Sequence, residues 1–264
     1  MGRQWLAIFG LRPSNKLIQS DITTKSNRGV HKIQSESVSD EILKEFEVLF
    51  SDTLGVYNKR EIKIHVKPNA KPVALAARHM PYALRPKVEQ EIKRLVDLGN
   101  LEKVESSEWA TPIVPVQKPN GKIRICGDFK VTLNPHLQVT KRSSSKIDDI
   151  FAKMQNGQTF SQLDLPHAYM QCSVEEESRK FLTITTHIGL FQYTRMVEGI
   201  SIAPGEFTQI MDECLQGIPG VIAYMDNIYV TGETNRKHWE NLRTVCQRLT
   251  QRGMRLNRRE VVTL

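Results

Sequence analysis

The stretch Ala223-Tyr224-Met225-Asp226-Asn227-Ile228-Tyr229-Val230 places apolar residues on both sides of a polar Asp-Asn pair. Asp and Asn accept turn geometry, and β-branched and aromatic neighbours favour strands. The pattern predicts a tight hairpin, with Gly220 to Tyr224 as one strand and Ile228 to Thr231 as the other, carrying a carboxylate at its tip. The same pattern also suits an ordinary surface hairpin. A second stretch narrows the choice. Phe160-Ser161-Gln162-Leu163-Asp164-Leu165 is a short apolar run with Asp164 near its end, followed by Pro166-His167-Ala168-Tyr169. A carboxylate at the end of a buried strand is costly unless its charge is compensated. If the strand end and the hairpin tip converge, Asp164 and Asp226 suit a divalent cation, since Mg²⁺ takes one or two carboxylates plus substrate phosphate oxygens. Such an arrangement fits two-metal phosphoryl transfer.

Around these stretches the chain reads as mixed strands and helices, an α+β pattern. Ser39 is placed to cap a helix through about Phe50, with Ile42, Leu43, Phe46, Leu49 and Phe50 on one face. Residues 60–82 read as extended. A helix then starts near Pro86 with a stripe of Val88, Ile92, Leu95 and Leu98, closed by Gly99. Ile113 to Val116 and Ile123 to Cys126 flank an Asn120-Gly121 turn, a hairpin in which Lys122 and Arg124 share one face and Ile123 and Ile125 the other. Ser145 to Asp148 is a capping box that opens a further helix. Strands are expected at Thr183 to Thr186 and Phe191 to Tyr193. A helix from Pro204 uses Phe207, Ile210, Met211 and Cys214, and another over Thr234 to Arg252 uses Trp239, Leu242, Cys246 and Leu249 beneath a basic outer face.

Composition restricts the setting. The formal net charge is +8, which suits a nucleic-acid partner. No apolar run reaches bilayer-spanning length, and no signal peptide or myristoylation pattern is visible at Met1-Gly2, so no membrane partner is expected. Four widely spaced cysteines, Cys126, Cys172, Cys214 and Cys246, without a CxxC pair, read as reduced core thiols of an intracellular protein, cytoplasmic or nuclear.

Leu163-Asp164-Leu165, Ala168-Tyr169 and Tyr224-Met225-Asp226-Asn227 together resemble the palm of a reverse transcriptase. The text between them resembles the gypsy-type class of long-terminal-repeat retrotransposon pol polyproteins. Ser107 to Val114 matches a SEWATPIV block and Lys122 to Lys130 a KIRICGDYK block. Glu177 to Phe181 and Gln216 to Val221 match further blocks in the same order. The resemblance spans roughly residues 40–259. It implies reverse-transcriptase-like fingers and palm, an antiparallel palm sheet packed on helices behind an extended N-terminal linker. By domain, 1–36 would be a protease-end remnant and linker, largely disordered, because Gly2 to Leu6 resembles the end of the protease domain. Residues 37–100 would be an N-terminal extension with two helices, 101–252 fingers and palm, and 253–264 the truncated start of a thumb.

The resemblance also implies roles. Asp164 and Asp226 would be catalytic metal ligands, assisted by the Leu165 backbone carbonyl, with Mg²⁺ or Mn²⁺ as cofactor. Lys122 and Arg124 would contact the triphosphate of an incoming nucleotide, as would the backbone amides of His167 and Ala168. The Tyr169 ring would lie under the sugar and select deoxynucleotides. Partners would be an RNA or DNA primer-template and dNTPs, with other pol domains (protease, ribonuclease H, integrase) or a second copy as further candidates. Three positions depart from the family. Asn227, the catalytic position beside Asp226, offers one neutral carbonyl oxygen in place of a carboxylate. At the nucleotide-binding segment, Met196-Val197-Glu198-Gly199 replaces LPFG, so Glu198 sets a negative charge next to Gly199 where an anion would bind. Lys141 to Ser145 replaces a YPLP-like segment. Losing one placed electrostatic contact typically costs on the order of a hundredfold in rate. Two readings follow: an RNA-directed DNA polymerase domain with impaired nucleotidyl transfer, or a catalytically inactive, decayed or repurposed nucleic-acid-binding protein that keeps the palm fold.

Overall fold

Strands whose side chains alternate between core and surface build two sheets in the computed structural model, which describes residues 40–119, 121–139, 153–258 and 262–263. The first sheet holds β1 (Leu101–Val104), β2 (Thr111–Gln117), β3 (Ile123–Gly127), β5 (Thr183–Thr186) and β6 (Gly189–Tyr193), in the order β1-β6-β5-β2-β3. Its pairings are antiparallel except β2 with β5, which is parallel. In β3, Ile123 and Ile125 are buried while Arg124 projects to the exposed side, as a two-residue side-chain period requires. The expected 60–82 stretch is extended, joined to the body by isolated bridges Ile62 to Val174 and Val66 to Leu137.

The second sheet holds β4 (Thr159–Asp164), β7 (Val221–Tyr224), β8 (Asn227–Gly232) and β9 (Val262–Thr263), in the order β7-β8-β4-β9, antiparallel throughout. The hairpin lies one residue from its sequence-based position. Tyr224 pairs with Asn227, so Met225-Asp226 makes the two-residue turn and Asn227 begins β8. Met225 has φ 53° at the first turn position, a mirror-image turn geometry that follows the twist of the flanking strands.

Helices cover these sheets. Among them are α1 (Arg85–Asp97), α2 (Glu176–Arg179), α3 (Ala203–Leu215) and α4 (Asn235–Gln251). Pro86 sits in the first turn of α1, where its missing N–H costs nothing. Val88, Ile92 and Leu95 are buried, but Leu98 lies beyond the last helical residue and is exposed, which removes it from the expected stripe. The first helix, expected to reach Phe50, is helical only over 40–45 and continues as turns that still bury Leu49 and Phe50. α3 packs on β7 and α4 on β8. The N-cap of α4 is Thr234, whose side chain accepts from Lys237 N at 3.2 Å. Its inner face buries Leu242, Val245, Cys246 and Leu249, the two leucines and the valine each contributing roughly 1.5–3 kcal/mol of apolar burial. The buried aliphatic faces of both sheets and of α1, α3 and α4 join in one core. Met154, Ile222 and Tyr229 form a separate small cluster.

The Ser145 to Asp148 capping box, Ser39 and the 1–36 segment lie outside the described residues. After Gly253, Met254 and Leu256 are buried and Leu256 N donates to Leu49 O at 2.8 Å. β9 then pairs with β4, so this end of the chain runs back along the second sheet. No helix among the described residues is long and apolar enough to cross a membrane.

Candidate active site

Asp164 closes β4 and Asp226 occupies the β7–β8 turn, and strand register brings the two together. Asp164 is paired with Asn227 across the sheet. Leu165 N donates to Asp226 O at 2.9 Å, which ties the end of β4 to the hairpin tip. Both aspartates open into one cavity of ≈ 1090 Å³. Of the sequence-predicted residues, Lys122, Arg124, Asp164, Leu165, His167, Ala168, Tyr169, Glu198 and Asp226 line it. Asn227 and Gly199 are not among the lining residues. The Asn227 side-chain oxygen instead accepts from Gln162 Nε2 at 2.9 Å, and the Gly199 carbonyl accepts from Asn134 Nδ2 at 2.8 Å.

The cavity has an acidic end and a basic wall. Burial pushes the Asp226 carboxyl above the usual carboxylate range, with the neighbouring Asp164 and then Glu198 pushing the same way. Burial also raises the Tyr169 hydroxyl, helped by Asp226 and Glu198. The Tyr169 ring is set edge-on against Phe207 at 5.6 Å. On the basic side stand Lys87, Arg94, Lys118, Lys122 and Arg124. His167 feels that wall: burial lowers its pKa first, and Lys118, Arg124 and Arg94 lower it further, which favours the neutral imidazole. Arg94 is held by both carboxylate oxygens of Glu91, at 2.7 and 2.8 Å. Arg124 Nη1 meets Glu198 Oε2 at 2.5 Å.

Backbone strain falls at the same place. Among the described residues, the non-glycine positions with positive φ are His167 at 51° and Met225 at 53°. Each adjoins the cavity or its aspartates, and such conformations cost of order 1–3 kcal/mol and concentrate at working sites.

Several contributors were not visible in the sequence. Asn257 donates from its backbone to Asp164 O at 2.9 Å, and its side-chain Nδ2 lies 3.4 Å from Asp164 Oδ2. Gln171 is fully buried. Its Nε2 donates to Pro166 O and to Arg255 O, both at 3.0 Å, and its Oε1 accepts from Arg255 N at 2.8 Å. It thereby joins the loop after Asp164 to the chain that bears Asn257. The available signal was a lone Gln inside the run Ala168-Tyr169-Met170-Gln171-Cys172, since a fully buried amide demands partners. Asn257 gave no comparable local signal.

With two carboxylates at its acidic end, the cavity is suited to hard cations and its basic wall to anions. Among the described residues no group of three or more His, Cys, Asp and Glu is arranged to hold a metal ion. A cation between Asp164 and Asp226 would therefore draw further oxygen donors from a ligand or water.

Comparison with known proteins gives the same direction. The family model described as "Reverse transcriptase (RNA-dependent DNA polymerase)" matches residues 116–261. The chain is 36% identical over 215 residues to the uncharacterized protein K02A2.6 of Caenorhabditis elegans, covering 81% of this chain and 17% of that protein. It is 28% identical over 239 residues to the retrovirus-related Pol polyprotein from transposon opus of Drosophila melanogaster, covering 86% and 23%. The chain thus spans about a fifth of the length of the curated relatives it matches. Among solved structures, the protease-reverse transcriptase of prototype foamy virus superposes with TM-score 0.78 at 22% identity, covering 88% of this chain and 31% of that one. A foamy viral protease-reverse transcriptase in complex with RNA/DNA hybrid gives 0.76 at 21% identity, covering 92% and 34%. The α+β arrangement is that of reverse-transcriptase fingers and palm.

Proposed function

Because the chain belongs to the reverse transcriptase (RNA-dependent DNA polymerase) family, we propose that its cavity is the nucleotidyl-transfer site of a retrotransposon polymerase, impaired in this copy. The convergence of Asp164 and Asp226 on one cavity carries this reading. The donor set fits a divalent cation: burial first and the neighbouring Asp164 charge second raise the Asp226 pKa, a cost that a bound cation would offset. Asp164, Asp226 and the Leu165 carbonyl would hold Mg²⁺ or Mn²⁺. Bound there, the metal would supply Lewis-acid activation of a primer hydroxyl and neutralise charge on the reacting phosphate.

The remaining work falls to the chain's own groups. Lys122 and Arg124 orient the phosphates of a dNTP from the basic wall, with the His167 and Ala168 amides nearby. Tyr169, steadied by Phe207, forms the platform under the sugar and disfavours a 2′-hydroxyl. Primer-template would lie along the basic surface, and other pol domains or a second copy would complete the grip. The block order from Ser107 to Val221 favours the gypsy-type class. Free cysteines throughout favour an intracellular setting.

The second reading, an inactive nucleic-acid-binding copy, draws on two contacts. Asn227 spends its oxygen on Gln162, and Glu198 sits on Arg124. Primer extension on an RNA template with Mg²⁺ or Mn²⁺ separates the readings. The proposal expects very weak extension that rises on the order of a hundredfold in the Asn227→Asp, Glu198→Phe double variant. Robust extension by the unaltered chain refutes the impairment. No extension by either protein, with nucleic-acid binding intact, favours the second reading.

A further inference from the structure

Arg124 projects into the cavity because its neighbours in β3, Ile123 and Ile125, are committed to the core. What it meets is a carboxylate of the chain itself. Glu198 Oε2 lies 2.5 Å from Arg124 Nη1, a charge-assisted contact between segments 74 residues apart. Glu198 is not a loose side chain that drifted there. Met196, Val197 and Ile200 on either side are buried. Asn134 then clamps the segment twice, donating from Nδ2 to Gly199 O at 2.8 Å and accepting at Oδ1 from Ser201 N at 2.9 Å. Gly199 takes φ 91°, a conformation that side-chain-bearing residues rarely adopt, and so turns the segment at the residue after Glu198. The loop is built to hold a carboxylate over the guanidinium.

We infer that Glu198 is a built-in competitor for the Arg124 guanidinium: its carboxylate stands where a ligand's phosphate would bind and so selects which anions the cavity admits. The inference rests on the nucleotide-site reading above and deepens it. The Arg124 and Glu198 side chains are 44% and 54% exposed, so the pair is solvent-screened and exchangeable rather than a fixed structural bond. A ligand with several adjacent phosphates offers more charge and bidentate geometry, and it displaces the carboxylate. A monoanion has no such advantage. Glu198 is therefore a positioning residue acting through Arg124, and anion selection by charge is its effect.

Calorimetric titration of the full 264-residue chain with inorganic tripolyphosphate at low ionic strength tests this. The proteins are wild type, Glu198→Gln, Arg124→Gln and the double variant, each matched for melting temperature. Glu198→Gln should bind roughly fivefold tighter, the size of one screened contact charge. Arg124→Gln should bind about tenfold weaker, as loss of a charge-assisted contact predicts. In the Arg124→Gln background, the Glu198→Gln gain should shrink to the part that direct carboxylate repulsion supplies, which a merely structural role for Glu198 would not produce. Unchanged or weaker binding by Glu198→Gln overturns the inference, as does an equal gain in both backgrounds. If Arg124→Gln still weakens binding in those cases, the nucleotide-site reading survives. If neither wild type nor Glu198→Gln binds tripolyphosphate, that reading falls and takes the inference with it.

Discussion

The cavity and helix α4 treat charge in opposite ways. On the outer face of α4, Arg236 and Lys237 reach Glu240 at 3.0 and 3.2 Å, and Arg243 reaches Glu45 at 2.9 Å. Arg248 donates to the carbonyls of Cys214 and Gln216. Charges there are met by opposite charges or by carbonyl oxygens, and water screens what remains. In the cavity, Asp164 and Asp226 are brought side by side, partly buried, with Glu198 adding to the same field. The helix face meets its charges with partners, whereas the acidic end of the cavity sets Asp164 and Asp226 near each other, a like-charge cost that a cation would offset.

The largest test of this comparison lies on the inner face of α4. His238 is buried against Trp239, its Nε2 is 2.9 Å from Ser161 Oγ, and its Nδ1 has no hydrogen-bond partner among the described residues. Burial pushes its pKa down from 6.5 to about 4. The unfolded chain takes up a proton near pH 6.5 and the folded chain does so only near pH 4. The unfolded state therefore binds more protons between them, and stability is lost as pH falls through that window. The His238 contribution to that loss is on the order of 3 kcal/mol, read as the difference between wild type and His238→Gln in denaturant unfolding at pH 7 and pH 4. A smaller contrast compares the two kinds of carboxylate directly. The raised Asp226 pKa means that ionisation opposes folding, so its contribution worsens as pH rises through the folded value and persists at pH 7. In chelator, Asp226→Asn should raise the melting temperature by a few degrees at pH 7. The exposed Glu240→Gln should leave it unchanged. A drop for Asp226→Asn, or a large change for Glu240→Gln, breaks the comparison.

Much of this was legible in the chain because it follows from local periodicity. The Ile123-Arg124-Ile125 alternation, the Val88, Ile92 and Leu95 stripe of α1 and the span of α4 each depend on neighbours within a few residues, and each was found where expected. The Asp164 and Asp226 meeting was legible through motif resemblance and is now explained by the β4–β8 register. The turn was misplaced by one residue because Asp-Asn and Met-Asp both satisfy the same apolar flanks, and strand pairing decides between them. Leu98 looked like core by spacing, but the helix ends before it. Gln171, Asn257 and Asn134 escaped because their partners lie far off in sequence, from Arg255 and Asp164 to the 199–201 loop, and no periodic signal encodes such contacts. The Glu198 position was noticed as a departure, but its engagement with Arg124 needed coordinates.

The central claim is that Asp164 and Asp226 act as one cation site. Binding of Mn²⁺, followed by electron paramagnetic resonance of the free ion, tests it without requiring catalysis. The account predicts saturable Mn²⁺ binding by the wild-type chain that weakens tenfold or more in Asp164→Asn and again in Asp226→Asn, with Glu240→Gln indistinguishable from wild type. Equal binding by all four proteins would contradict it.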